Sequence, residues 1–245
     1  MISVSARTLP EAWEAAVLAV VDRGRRVRTD YDKEDDPPSY DETVAIEVLA
    51  PFGEPRVHKN FPGGPEELET YVQEVLWGIH DHWDCWPYTY HRRLWRADQM
   101  NKVLAELKRN PQSRRAQAIT WDIETDPGTK DPPCLQRLWF RVFDGALQMN
   151  AHWRSRDLWR AWFMNAYAMT ELQALMARAL FVEVGAYVDI SDSLHVYGST
   201  INEAEYEKMR TRPLFERVWR TEVFDEMVAE TRVKLTANPD YMRSK

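Results

Sequence analysis

PPCLQRLWFRVFDGALQMNAHWRSRD, residues 132–157, is the stretch on which the reading of the fold turns. Two runs of strand composition, Leu135–Phe143 and Ala146–Trp153, flank Asp144-Gly145, a dipeptide suited to the left-handed backbone of a two-residue hairpin turn. Pro132 and Pro133 fix the approach to Cys134, so a thiol is presented rigidly at the start of the first strand. A free cysteine is commonly a small buried hydrophobe, and that reading stands beside a reactive one. Reactivity needs a cationic neighbour, and the hairpin brings Arg154 and Arg156 back beside Cys134.

Outward from the hairpin, helices and strands interleave. Residues 10–21 carry apolar positions at helical spacing behind a proline suited to a first turn. Four arginines follow between Arg23 and Arg28, and Asp30–Glu42 is acidic and poor in apolar residues, as in an exposed loop. Thr43–Leu49 is strand-like. In Pro65–Trp83, Leu68, Tyr71, Val72, Val75, Leu76 and Ile79 follow the spacing of a helix face, and Asp98–Arg109 predicts another helix. Residues 114–121 predict a strand, Ala166–Phe181 a core helix, Val182–Val196 a strand, and 202–211 and 222–236 two further helices. The order predicts one α/β (α+β) domain spanning residues 1–245.

Composition narrows the function. The chain has 245 residues, a net charge of −7, 44% hydrophobic and 29% charged residues. That acidic balance argues against a nucleic-acid polymer as partner, which calls for a basic face. Two cysteines, Cys85 and Cys134, exclude a disulfide framework. No apolar run approaches ~18 residues and no leader pattern opens the chain, so a cytoplasmic protein without membrane contact is expected. His80, His82, Cys85 and His91 match no common zinc spacing, and no metal is expected. Trp83, Trp86, Tyr88 and Tyr90 among them leave packing or an aromatic slot for a flat ligand. The pairs Arg25-Arg26, Arg92-Arg93 and Arg114-Arg115 are either solvated or gathered on a small anionic ligand.

Gln73-Glu-Val-Leu-Trp77, Ser113-Arg-Arg115, Pro133-Cys134, Arg154-Ser-Arg-Asp157 with Asn165 eight residues on, and His195-Val-Tyr197 stand in one order. In that order the chain resembles the thymidylate synthase and pyrimidine nucleotide hydroxymethylase family, most closely over residues 66–200. The resemblance implies a mixed β-sheet layered with helices, and a homodimer formed through the sheet. It implies that Cys134 adds to C6 of a pyrimidine nucleoside monophosphate and so makes C5 a carbon nucleophile. By resemblance, Arg154 contacts the phosphate and favours the thiolate, Ser155 and an N-terminal arginine, Arg28 with Arg23, Arg25 and Arg26 as alternatives, add phosphate contacts, and Arg114 and Arg115 reach the phosphate across the dimer interface. Asn165 is implied to read the base edge. An amide both donates to O4 and accepts from N3–H of uracil, which favours dUMP over a cytosine nucleotide. His195 and Tyr197 are implied on the sugar hydroxyl, Glu74 on protons near O4, and Tyr90 near C5. The co-substrate is 5,10-methylenetetrahydrofolate, a reduced folate, with Asp157, Trp83 and Trp86 implied on its ring system.

Departures from that pattern bear on the product. Leu135 follows the nucleophile where common synthases carry His, Arg160-Ala-Trp-Phe-Met164 replaces a Gly-x-Pro-Phe approach, and Ser193 replaces an Asp. The last residues, Tyr241-Met-Arg-Ser-Lys245, differ from the apolar tail with which common synthases exclude water. Methylation of dUMP to dTMP is the first expectation. Hydroxymethylation by water of dUMP, dCMP or CMP is the second, and a noncatalytic nucleotide- or RNA-binding relative the third.

Overall fold

A computed structural model describes residues 1–83 and 87–241. In chain order the elements are β1 (Ile2–Ala6), α1 (Leu9–Arg23), β2 (Arg25–Val27), β3 (Ser39–Val48), β4 (Val57–His58), α2 (Gly64–Trp77), α3 (Tyr90–Trp95) and α4 (Gln99–Arg109). They continue with β5 (Gln117–Ile119), β6 (Leu135–Phe143), β7 (Ala146–Asp157), α5 (Trp162–Leu180), β8 (Glu183–Val196), α6 (Glu203–Thr211), β9 (Val218–Trp219) and α7 (Thr221–Ala237).

Seven strands form one mixed sheet in the order β1-β3-β8-β7-β6-β5, with β2 paired to β3. β1 runs parallel to β3 and β7 parallel to β8, whereas the β3–β8, β6–β7 and β5–β6 pairs are antiparallel. This is the mixed sheet layered with helices that the resemblance implies. The hairpin forms as read: Phe143 pairs with Ala146, and Asp144 and Gly145 take φ of 47° and 77°.

Core packing places α5 on the sheet. Trp162, Phe163, Ala166, Met169, Leu172 and Met176 of α5 are buried, as are Leu147, Met149, Ala151 and Trp153 on β7 and Tyr187 on β8. Alternation in the strands leaves Gln148, Asn150, His152, Val188 and Ile190 only half-buried in the single chain. Under α1, the buried Glu14 carboxylate takes two hydrogen bonds from Arg217 at 2.7 Å and one from His58 at 2.8 Å. Asn60 N–H donates to His58 Nδ1 at 3.0 Å, so the proton that His58 gives to Glu14 sits on Nε2.

Several boundaries differ from the sequence reading. The acidic loop is shorter than expected, because β3 already begins at Ser39 and its first residues pair with the arginine-rich β2. The helix expected over 65–83 stops at Trp77, where Gly78 takes a left-handed φ of 62° and a side chain would collide with His91. Only residues 117–119 of the expected 114–121 strand pair with β6. The core helix starts at Trp162 rather than Ala166, and β7 continues to Asp157. β1, the short strands β2, β4 and β9, and the short α3 have no counterpart in the sequence reading.

Candidate active site

Three strand ends meet at one place. Cys134 stands at the N-terminal end of β6, beside the C-terminal end of antiparallel β7, and Arg154 N–H donates to the Cys134 carbonyl at 2.9 Å. A register shift between Leu135 and Arg137 puts a bulge at Gln136, whose amide donates to the Pro133 carbonyl at 2.8 Å. β8 lies parallel to β7, so that Asp157 pairs with His195. The ends enclose a cavity of about 340 Å³ whose walls include Tyr31, Cys134, Arg154, Ser155, Asp157 and Tyr197. His195 completes that wall and also faces a smaller recess with Thr29, Ser39 and Asp41.

Electrostatics at the thiol are opposed. Burial pushes Cys134 up, Arg154 pulls it down, Asp131 pushes it up again, and Arg156 adds a further downward pull. The net direction is upward, so the unliganded thiol keeps its proton at neutral pH. Arg154 is not free to swing: Nε donates to the Pro133 carbonyl at 3.1 Å and Nη2 to Pro132 at 2.6 Å. The same side chain therefore fixes the Pro-Pro approach and sets a positive charge near the sulfur. Burial also raises the Asp157 carboxyl, against N–H donation from Arg160 at 2.9 Å and the influence of His195. Tyr197 is raised by burial and then by Asp157.

A second cavity of about 200 Å³ adjoins the first, with Asp131 in the wall of both. Tyr71, Glu74, Pro87, Tyr88 and Tyr90 line it. Burial, with the nearby Asp81, lifts Glu74 to about 7. Its Oε2 lies 3.5 Å from Nδ1 of His80, whose Nε2 faces the Pro239 carbonyl at 3.1 Å. Tyr88 is pushed up to about 12, mainly by burial and then by Cys134. Tyr71 and Tyr90 are raised further, again by burial first, so all three phenols are donors across the physiological range. The Tyr90 hydroxyl accepts from Leu135 N–H at 3.4 Å, and its ring meets Trp153 edge-on at 5.7 Å.

Of the residues singled out from sequence, Cys134, Arg154, Ser155, Asp157, His195 and Tyr197 share the first cavity, and Glu74 and Tyr90 share the second. Asp157 thus stands with the nucleophile rather than in the second, aromatic cavity. Asn165 lies on α5 and donates through Nδ2 to the Tyr71 hydroxyl at 2.7 Å. Arg28 is exposed and reaches the Lys33 carbonyl at 3.4 Å, while Thr29 and Tyr31 of the same segment touch the cavities. Arg114 and Arg115 are exposed and outside both cavities of their own chain, and Arg115 pairs with Glu106 at 3.2 Å. Trp83 stacks on His80 at 3.7 Å and donates to Asp240, which places it against the C-terminal segment. Trp86 and Cys85 lie outside the described residues. Sequence reading missed Tyr31, Tyr71 and Asp131 as site residues, and gave Tyr88 only as one of the aromatics of a possible slot. Tyr71 stands one helical turn before Glu74 and Asp131 directly before the two prolines, which are the signals that were there to find.

Among the described residues, no three His, Cys, Asp or Glu side chains are grouped to hold a metal ion, and no helix is long and apolar enough to cross a membrane.

Comparison with known proteins gives a family match, named relatives and a solved structure of the same fold. A family model described as thymidylate synthase matches residues 72–230. A protein of Methanothermobacter thermautotrophicus named "Putative thymidylate synthase" is 29% identical over 223 residues, covering 83% of this chain and 96% of its own. A "Deoxyuridylate hydroxymethyltransferase" of Pseudomonas phage M6 is 38% identical over 110 residues, 43% of this chain and 31% of its own. The solved thermostable thymidylate synthase A of Bacillus subtilis has the same fold, with a TM-score of 0.68 at 18% identity, over 85% of this chain and 86% of its own.

Proposed function

The chain belongs to the thymidylate synthase family, whose members are one-carbon transferases acting on a pyrimidine nucleotide with a folate, and from that premise we propose that it methylates dUMP at C5 to give dTMP. One observation carries the reading: Cys134 shares a cavity with Arg154, Ser155, His195 and Tyr197, and that cavity opens beside a second one holding Glu74 and Tyr90. A binding protein has use for the cationic and hydroxyl groups, but not for a rigidly presented thiol between opposed charges.

In this reading Sγ of Cys134 bonds to C6 of the uracil, and the C5–C6 electron pair moves toward O4. The thiol is raised when the site is empty, so its proton leaves as substrate enters and the Arg154 charge holds the sulfur. Glu74, held at about 7, exchanges protons near O4 at little cost in either direction. Tyr90 stays protonated and hydrogen-bonds near C5. Asn165, oriented by Tyr71, reads O4 and N3–H as an amide can and a carboxylate cannot.

Arg154, Ser155 and Arg28 contact the phosphate, while His195 and Tyr197 hold the sugar hydroxyl. Arg114 and Arg115, exposed and outside the walls of both cavities of their own chain, serve the phosphate of the partner site in a homodimer. The half-buried sheet residues Gln148, Asn150, His152, Val188 and Ile190 support that pairing, since a sheet face left partly open calls for a cover. The aromatic walls of the second cavity suit a flat ring, and there 5,10-methylenetetrahydrofolate would supply the carbon and the hydride. Asp157, Trp83 and Trp86 are read as its contacts. Residues 1–245 act as one catalytic domain in the cytoplasm.

A second reading, hydroxymethylation by water, is favoured by the phage relative and by the carboxylates of Glu74 and Asp131 in the cavity where water would attack. Incubation with dUMP, dCMP and CMP plus methylenetetrahydrofolate, followed by product mass and dihydrofolate absorbance, separates the two. A methylated uracil product with dihydrofolate is expected. A hydroxymethyl product without dihydrofolate moves the reading to the second, and no product from any nucleotide removes both.

A further inference from the structure

Between Ser155 and Asp157 stands a side chain with a different situation from its neighbours. Arg156 is only 3% exposed, and its guanidinium lies 4.2 Å over the ring of Trp153 and 5.8 Å from that of Trp162. Nη2 donates to the Asp189 carboxylate and to Ser191 Oγ at 3.0 Å. Asp189 is fully buried and also accepts from the Tyr187 hydroxyl at 2.6 Å. Nε and Nη1 are buried without a hydrogen-bond partner, although Arg156 belongs to the wall of the cavity that holds Cys134.

A buried ion pair with a purely structural role spends its donors on acceptors, because each unspent one is desolvated for nothing. Here the pair is satisfied on the Asp189 side and bare elsewhere, among indole rings of low polarity that strengthen the field of a charge. Arg154 by contrast spends Nε and Nη2 on two proline carbonyls.

We propose that Arg156 is a positioning residue for the nucleophile, a buried permanent cation in the cavity wall that draws the Cys134 thiolate and, once sulfur has bonded to C6, the negative charge spreading toward O4. The role rests on Cys134 as nucleophile. Facing the sulfur are Arg154 on β7, Asp131 before the prolines, Tyr88, Tyr90 on α3 and Tyr197 after β8. Facing Arg156 are Asp189, Ser191 and Tyr187 on β8, Tyr71 on α2 and Trp162 on α5. The carboxylate of Asp189 is the counter-charge that limits what Arg156 does for the thiol.

The test reads the thiol alone, in a Cys85→Ser background, by the pH dependence of iodoacetamide alkylation. Arg156→Gln combined with Asp189→Asn removes the pair without leaving a buried carboxylate alone. It should raise the midpoint of alkylation by about one pH unit and slow it about tenfold near neutral pH. Asp189→Asn alone frees the cation and should lower the midpoint, while Arg156→Lys, which keeps the charge, should stay close to the parent. A folded double variant with the parent profile overturns the role. If the double variant does not fold, an Asp189→Asn midpoint that is unchanged or raised overturns it. Alkylation needs neither nucleotide nor folate, so an unchanged profile sinks the role of Arg156 and leaves C5 transfer standing. A shifted profile in an enzyme that makes no product from any nucleotide sinks the transfer reading alone.

Discussion

Replacing Glu74 by Gln uncouples stability from pH in a calculable way. In the unfolded chain this carboxyl titrates at its ordinary value of 4.5, and burial in the fold, with Asp81 nearby, lifts it to about 7. The side chain is 14% exposed, so solvent screens little of the effect. A gap of about 2.5 pH units at ~1.36 kcal/mol each makes the protonated form worth about 3 kcal/mol to the fold. The sign follows from the folded value being the higher one. The contribution is fully present below pH 4.5 and is lost as pH rises through 7, above which the fold carries the whole cost of a buried carboxylate. Gln does not titrate. Urea unfolding followed by tryptophan fluorescence across this window should show Glu74→Gln gaining about 3 kcal/mol on the parent between the two values and nothing more above them. The activity profile should lose its limb near 7 in the same variant. A stability difference that stays constant with pH, or one of opposite slope, refutes the buried, proton-holding Glu74.

Cys134→Ser should abolish product formation while nucleotide binding persists; calorimetric titration with dUMP checks the second half. Asn165→Asp should move preference from dUMP toward dCMP, read as the ratio of kcat/KM values, because a carboxylate pairs with the exocyclic amine. Mixing Cys134→Ser subunits with an Arg114→Ala, Arg115→Ala double variant, each inactive by itself, should restore about a quarter of parental activity if subunits exchange at random. No recovery in proven mixed dimers contradicts the cross-subunit arginines. Arg217→Met leaves the buried Glu14 carboxylate with His58 alone and should cost about 3–5 kcal/mol in urea unfolding.

The hairpin was legible because Asp144-Gly145 requires left-handed backbone and strand-forming residues flank it. The resemblance named Cys134, Arg154, Ser155, Asp157, His195 and Tyr197 together, and the fold gathers these six from three strand ends into one cavity. What escaped reading lacks such a code. β2 is three exposed residues with no apolar alternation, and only pairing with β3 makes it a strand. α2 stops at Gly78 although apolar spacing continues to Ile79, since Gly78 takes the left-handed conformation and His91 and Asp81 fill the space a side chain there would need. Tyr71 orients Asn165 across 94 positions of sequence, a relation that only the packing of α2 against α5 creates. Arg156 reads from the hairpin as a cation beside Cys134, but its burial against Trp153 and its pairing with Asp189 have no sign in the sequence.

The central claim is covalent catalysis at Cys134. Incubation with dUMP and methylenetetrahydrofolate, rapid denaturation, proteolysis and mass mapping tests it without reference to rate. A nucleotide-bearing adduct on the peptide that contains Cys134, absent from Cys134→Ser, is the expected result. Product accumulating with no adduct on that peptide, or turnover retained in Cys134→Ser, contradicts it.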